Sequence, residues 1–219
     1  MDAICVFCGS NPGREPAYVE QAEALGRLLA SEGLTVVYGG AGIGTMGALA
    51  RGALGAGGRV TGVIPGHLVE VERAPGGLHE LHRVETMHER KALMAELADG
   101  FIALPGGFGT LEELAEIATW SQLGLHAKPI GLLNSRSFYD SLLAFLDHAV
   151  EERFLRPEHR ALLLADADPV RLLASLRAWS AEPVPKWFAA PDGADVADGE
   201  AAEGAEVSGG AGELDGLRG

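Results

Sequence analysis

Short apolar runs recur along the chain, each closed by turn-forming residues and each followed by apolar positions at helical spacing. The runs at Asp2 to Phe7, Leu34 to Tyr38, Val60 to Ile64, Gly100 to Ala103 and Pro129 to Leu133 read as buried strands, with shorter ones at Leu81 to Val84 and Leu162 to Leu164. Between them, Pro16 opens a helix carrying Val19, Ala22, Leu25 and Leu29, which Gly33 ends as a C-cap. An Ala-rich helix runs to about Ala56, and another from Thr86 to about Ala98, with Thr86 and Glu89 as its capping pair. Thr110 stands ahead of Leu111, Leu114 and Ile117 as the start of a fourth helix. Phe138 to Glu151 forms a fifth, and Asp168-Pro169 opens a last one to about Trp179. Residues 66 to 79 have weak periodicity and read as a loop with a short helical turn. Strands alternating with helices specify an α/β sandwich around a parallel sheet buried on both faces.

Ligands in such sheets bind beyond the carboxyl ends of the strands, where the loops at Gly9, Gly39, Pro65 and Pro105 lie. A chain of 219 residues, 47% hydrophobic, supports one main domain, expected over 1–189. From residue 190 the composition turns to Gly, Ala and acids, with eight Asp or Glu against Arg218, about −7; this tail, 190–219, is expected to be disordered. The net charge of −14 argues against non-specific binding to nucleic acid or an anionic membrane. No apolar run reaches a transmembrane length and no signal-peptide pattern opens the chain, so the expected location is cytoplasmic.

The chemistry gathers at Leu104-Pro105-Gly106-Gly107-Phe108-Gly109-Thr110-Leu111-Glu112-Glu113. Its glycines let the backbone approach a ligand closely, and the unpaired amides of the following helix form an anion site. With Glu112 and Glu113 read into the same first turn, the ligand must also carry a cationic or hydroxyl-rich part. Gly42-Ile43-Gly44-Thr45-Met46-Gly47 matches G-x-G-x-x-G, but no acid ends the next strand, where Ile64 meets Pro65-Gly66-His67. A phosphate or nucleoside monophosphate suits this turn better than a dinucleotide. Arg90 and Lys91, adjacent at a helix start where the macrodipole disfavours cations, are read as receiving that phosphate. Ser10 is a loop hydroxyl offered to the ligand. Cys5 and Cys8 lie three apart on a strand, so their sulfurs diverge into packing, and the histidines from His67 to His88 lack ligand spacing; neither a metal nor a cofactor is expected.

Three segments together resemble the LOG (Lonely Guy) family of cytokinin riboside 5'-monophosphate phosphoribohydrolases, often labelled lysine decarboxylases: Val6-Phe7-Cys8-Gly9-Ser10, Met87-His88-Glu89-Arg90-Lys91 and Pro105 through Glu113. The resemblance covers about residues 1 to 180. It implies a Rossmann-like three-layer sandwich, usually a homodimer, that hydrolyses an adenine-type nucleoside monophosphate to base and ribose 5-phosphate. It puts the catalytic arginine and glutamate at Arg90 and Glu113, and substrate contacts at Glu72, Lys91, Gly107, Phe108, Gly109, Thr110, Leu111, Glu112 and Thr119. Gly9, Ser10, Gly40, Gly42 and Gly44 join them from the loops read above. The second glycine loop departs from the family's usual Gly-Leu-Met-Gly at Thr45, and the loop from Gly66 to Gly77 is unlike typical members.

The residue types suit the reaction. Cleaving the bond between base nitrogen and anomeric carbon builds oxocarbenium character, which carboxylates stabilise. Glu113 is read as activating water, Glu112 as holding ribose hydroxyls, and Arg90, always protonated, as stabilising charge on the phosphate or departing purine. Two alternatives stand beside this reading. A decarboxylase needs a lysine Schiff base from Lys91, Lys128 or Lys186, the only lysines. A non-catalytic nucleotide or cofactor carrier needs the glycine loops but not Glu113.

Overall fold

The computed structural model describes residues 1–69 and 76–180. Its strands are β1 (Ala3–Phe7), β2 (Thr35–Tyr38), β3 (Val60–Pro65), β4 (Glu80–Val84), β5 (Gly100–Ala103), β6 (Ile130–Leu133) and β7 (Leu163–Asp166). The helices are α1 (Pro16–Ser31), α2 (Gly44–Gly55), α3 (Met87–Glu96), α4 (Phe108–Gln122), α5 (Asp140–Glu151), α6 (Pro157–Arg160) and α7 (Pro169–Ala178). The strands form one sheet in the order β4-β3-β2-β1-β5-β6-β7, every neighbouring pair parallel. This is the α/β sandwich the alternation of strands and helices specified.

Side-chain alternation along β1 decides the layers. Ile4, Val6 and Cys8 face α1, α2 and α7, packing with Leu25, Leu49 and Leu172. Ala3, Cys5 and Phe7 face α3 and α4, packing with Met94, Leu114 and Ile117. The two free cysteines therefore sit in opposite cores. On the first face α1 and α2 touch backbone to backbone, because Gly26 lies against the Leu49 carbonyl and Gly52 against the Glu23 carbonyl, where any side chain would collide. That contact sets α2, and with it the turn at its start.

Several boundaries differ from the sequence reading for local reasons. Helix α4 begins at Phe108 with Gly107 as its N-cap, two residues before Thr110. Helix α5 begins at Asp140, because Ser135–Ser137 forms a 3-10 turn in which Arg136 and Ser137 have φ of 51° and 60°. The short helix α6 was not legible, being a single turn without periodicity. Thr86 caps α3 by accepting from the Glu89 amide at 3.1 Å, while the Glu89 carboxylate reaches back to the Glu85 amide at 2.9 Å. Gly66–Leu68 forms a 3-10 turn; Glu72 and the tail at 190–219 lie outside the described residues. No helix among the described residues is long and apolar enough to cross a membrane.

Candidate active site

Chain order along the sheet reverses at β1, which has β2 on one side and β5 on the other. The loops leaving β1 and β5 consequently diverge and leave a crevice between them. That crevice is a cavity of about 510 Å³, a size that suits a small ligand. Its walls come from the Gly9–Gly13 loop, Gly39 after β2, Thr45 and Met46 on α2, Arg90 on α3, and the Pro105–Glu113 stretch.

Where the cavity meets α4, the free amides of a helix start line it. Gly107 offers no side-chain cap, and the first turn of α4 contains no acid. Because the helix starts at Phe108, Glu112 and Glu113 fall one turn deeper than the sequence suggested, clear of the free amides at its start. Thr110, buried, packs under Gly106 so closely that no side chain fits there. The loop is thereby drawn tightly onto the helix.

Arg90 and Glu113 are the buried charges on the cavity wall, at 5% and 7% exposure. Arg90 donates from Nη2 to the Gly39 carbonyl at 3.1 Å and touches the Met87 sulfur through Nη1 at 3.8 Å; its Nε has no hydrogen-bond partner among the described residues. A buried guanidinium on a cavity wall puts a fixed positive charge beside that cavity. The cavity floor feels both charges: burial pushes the Cys8 thiol well up, the Glu113 charge pushes it further, and a Thr45 hydrogen bond and the Arg90 charge oppose them. Cys5 is likewise raised, first by burial and then by Glu113. Both shifts favour the protonated thiol over the thiolate.

Of the residues singled out from the sequence, Gly9, Ser10, Arg90, Gly107, Phe108, Gly109, Thr110, Glu112 and Glu113 come together on the cavity. Lys91 does not line it; its ammonium lies between Glu112 and Glu116. Gly40 and Gly44 adopt left-handed backbone, and Gly42 and Gly44 back onto Gly47 and Ser10, so these three shape the turn behind the wall. Leu111 and Thr119 line a separate apolar groove between α4 and α5, where the Thr119 hydroxyl donates to the Ala115 carbonyl at 2.7 Å. Among the described residues no three His, Cys, Asp or Glu side chains group closely enough to hold a metal ion.

Sequence reasoning missed Thr45, Tyr18 and Phe138. Thr45 is buried, accepts from the Gly9 amide at 3.0 Å and donates to the Gly9 carbonyl at 2.9 Å, tying α2 to the loop after β1. Its departure from the usual leucine was the available signal. Tyr18 and Phe138 meet edge to face at 6.0 Å on the cavity wall, a contact between α1 and the turn after β6 that no local pattern announces.

Residues 46–176 match the model of the family described as "Possible lysine decarboxylase". The cytokinin riboside 5'-monophosphate phosphoribohydrolase of Rhodococcoides fascians is 50% identical over 176 residues, 80% of this chain and 89% of that protein. The enzyme of the same name, LOG7, from Arabidopsis thaliana is 46% identical over 179 residues, 82% of each. Among solved structures, the molybdenum cofactor binding protein of Rippkaea orientalis superposes with a TM-score of 0.62 over 81% of this chain and 96% of that one, at 22% identity, a likeness of fold alone.

Proposed function

From the premise that this chain belongs to the LOG family of lysine-decarboxylase-like proteins, we propose that it is a phosphoribohydrolase that cleaves the N-glycosidic bond of cytokinin riboside 5'-monophosphates, and of AMP. The observation that carries the reading is the meeting of buried Arg90 and buried Glu113, from two different helices, in one cavity that opens onto the uncapped start of α4. The phosphate of the substrate sits on the α4 amides with help from Arg90, and this remote grip holds the anomeric carbon beside Glu113. Glu113 takes a proton from water as it attacks, and Glu112, on the cavity lip, holds ribose hydroxyls. The positive charge of Arg90 stabilises the electrons that leave with the base. Free base and ribose 5-phosphate are the products.

The lysines argue against a pyridoxal-dependent decarboxylase. Lys91 is engaged by two carboxylates, Lys128 donates to the Ala95 carbonyl at 2.7 Å, and neither lines the cavity; Lys186 lies outside the described residues. The carrier reading leaves the burial of a carboxylate at Glu113 without a use.

The proposed enzyme is cytoplasmic, has residues 1–189 as its catalytic domain, and is a homodimer joined through the α4–α5 groove. That groove has Leu111, Leu142 and Leu146 in its walls, and Leu111 and the neighbouring Phe145 are exposed. Thr119 sits within it, which brings a family substrate contact to the same interface. Incubation with AMP and isopentenyladenosine monophosphate, with assay of free base, tests the activity: release of base supports the hydrolase, and binding without release favours a carrier. Light scattering of the wild type and Phe145→Glu tests the dimer, which the charge should split.

A further inference from the structure

Lys91 bridges the two helices that carry the reactive pair. Its side chain, on α3, is 6% exposed, and its ammonium donates to Glu112 and, at 3.1 Å, to Glu116, both on α4. Glu112 and Glu116 are one turn apart and so share a face of α4. Each end of this bridge is next in sequence to a cavity charge: Lys91 follows Arg90, and Glu112 precedes Glu113. Neighbours on a helix point about 100° apart. This polar tie between α3 and α4, added to their shared apolar core, therefore bears on the direction in which Arg90 and Glu113 face the cavity.

Resting on the hydrolase reading above, we infer that Lys91 and Glu116 are positioning residues, a strut that fixes Arg90 against Glu113, and that Lys91 does not receive the substrate phosphate. Two of the three ammonium donors are already used, and the side chain is not on the cavity wall. The other Glu116 oxygen, Oε2, is buried with no hydrogen-bond partner among the described residues, so Lys91 is what compensates this carboxylate. Swinging the lysine to a phosphate would leave two like charges one turn apart, one of them largely buried, without their cation. Burial alone would lower the Lys91 pKa, yet the hydrogen bonds to Glu112 and Glu116 raise it, which keeps the strut charged. Recognition of the phosphate then falls to the α4 amides and Arg90.

Glu116 decides the matter, because it is absent from the cavity wall and, among the described residues, is tied to the site by its hydrogen bond with Lys91. Steady-state kinetics on AMP and calorimetry of AMP binding are measured for wild type, Lys91→Met, Lys91→Arg and Glu116→Gln, with thermal unfolding as the check on folding. A strut predicts that Glu116→Gln and Lys91→Met each lose about tenfold in kcat while KM and AMP affinity move less than about threefold, and that Lys91→Arg recovers most of the loss. Wild-type kcat in Glu116→Gln, or a loss of more than about tenfold in AMP affinity in Lys91→Met, overturns it. If Lys91→Met does not fold, Lys91→Arg and Glu116→Gln carry the decision. A wild type that binds AMP and isopentenyladenosine monophosphate but releases base from neither defeats the hydrolase reading by itself; the strut is then judged on AMP affinity in Lys91→Met, where wild-type affinity sustains it and a tenfold loss removes it.

Discussion

The guanidinium of Arg90 fills the space over the α-carbon of Gly39 and donates to that residue's carbonyl at 3.1 Å. A methyl group at Gly39 would collide with Nη2 and press on the Met46 sulfur. Gly39→Ala should therefore displace Arg90 and lower kcat/KM by about a hundredfold, at a stability cost of about 1–3 kcal/mol from overpacking. Gly55→Ala, at the exposed end of α2 with open space around it, is the control and should be neutral or stabilising by up to about 1 kcal/mol. Equal losses in the two variants, measured by base release and urea unfolding, would contradict the arrangement.

Removing the charge at Glu113 separates chemistry from binding. Glu113→Gln keeps the volume of the buried side chain and should reduce kcat by about 10²–10⁴-fold while AMP still binds, because the amides at the start of α4 that hold the phosphate in this reading do not depend on the Glu113 charge. Arg90→Ala should lose both kcat and affinity, since its side chain is a buried cation on the cavity wall. Calorimetry beside the base-release assay tells these apart. Near wild-type turnover in Glu113→Gln would remove the carboxylate from the mechanism.

Much of this site could be read from the sequence because its signals are local. The apolar runs and the glycines after them placed the loops at the strand ends, and Pro105 through Glu113 announced the glycine turn that lines the cavity at the start of α4. The direction of the Lys91 side chain could not be read, for a physical reason. Two adjacent cations look alike in sequence, yet a helix turns about 100° between neighbours. Only the position of α4 shows that Arg90 faces the cavity while Lys91 faces Glu112 and Glu116. The tie from Thr45 to Gly9 and the contact of Tyr18 with Phe138 likewise could not be read, their partners being far off in the chain. The start of α4 was misplaced because glycine at an N-cap leaves no side-chain signature, whereas Thr110 resembles one.

The entry to β1 should respond to acid. The Asp99 carboxylate accepts from the amides of Asp2 at 2.6 Å and Ala3 at 3.1 Å, and the Asp2 hydrogen bond foremost holds its pKa below the usual value, against a smaller opposing effect of burial. A folded-state pKa below the unfolded one means that the stabilisation is present above the unfolded value, about 3.9, and is lost as pH falls through the folded value. Thermal unfolding of the wild type from pH 6 down to about 2 should show this loss, and Asp99→Asn should lower Tm near neutrality but flatten the acid limb. Parallel curves for the two proteins would mean that the pair of amides does not depend on the charge.

Thr45 offers a test of how firmly the loop after β1 must be held. Its hydroxyl serves both polar groups of Gly9: it accepts from the amide and donates to the carbonyl, which also accepts from the Met46 amide at 3.2 Å. In Thr45→Val the shape is kept and the hydroxyl lost, so the Gly9 amide is left without its partner while the carbonyl keeps one. A cost of about 1–3 kcal/mol in urea unfolding is expected for the orphaned donor. Gly9 and Ser10 line the cavity, so KM for AMP should rise as well, and Thr45→Ser should restore both quantities by restoring the hydroxyl. If Thr45→Val lowers stability but leaves KM untouched, the tie serves the fold alone; if serine fails to rescue either, it is the methyl group of Thr45, buried at 2% exposure, that matters.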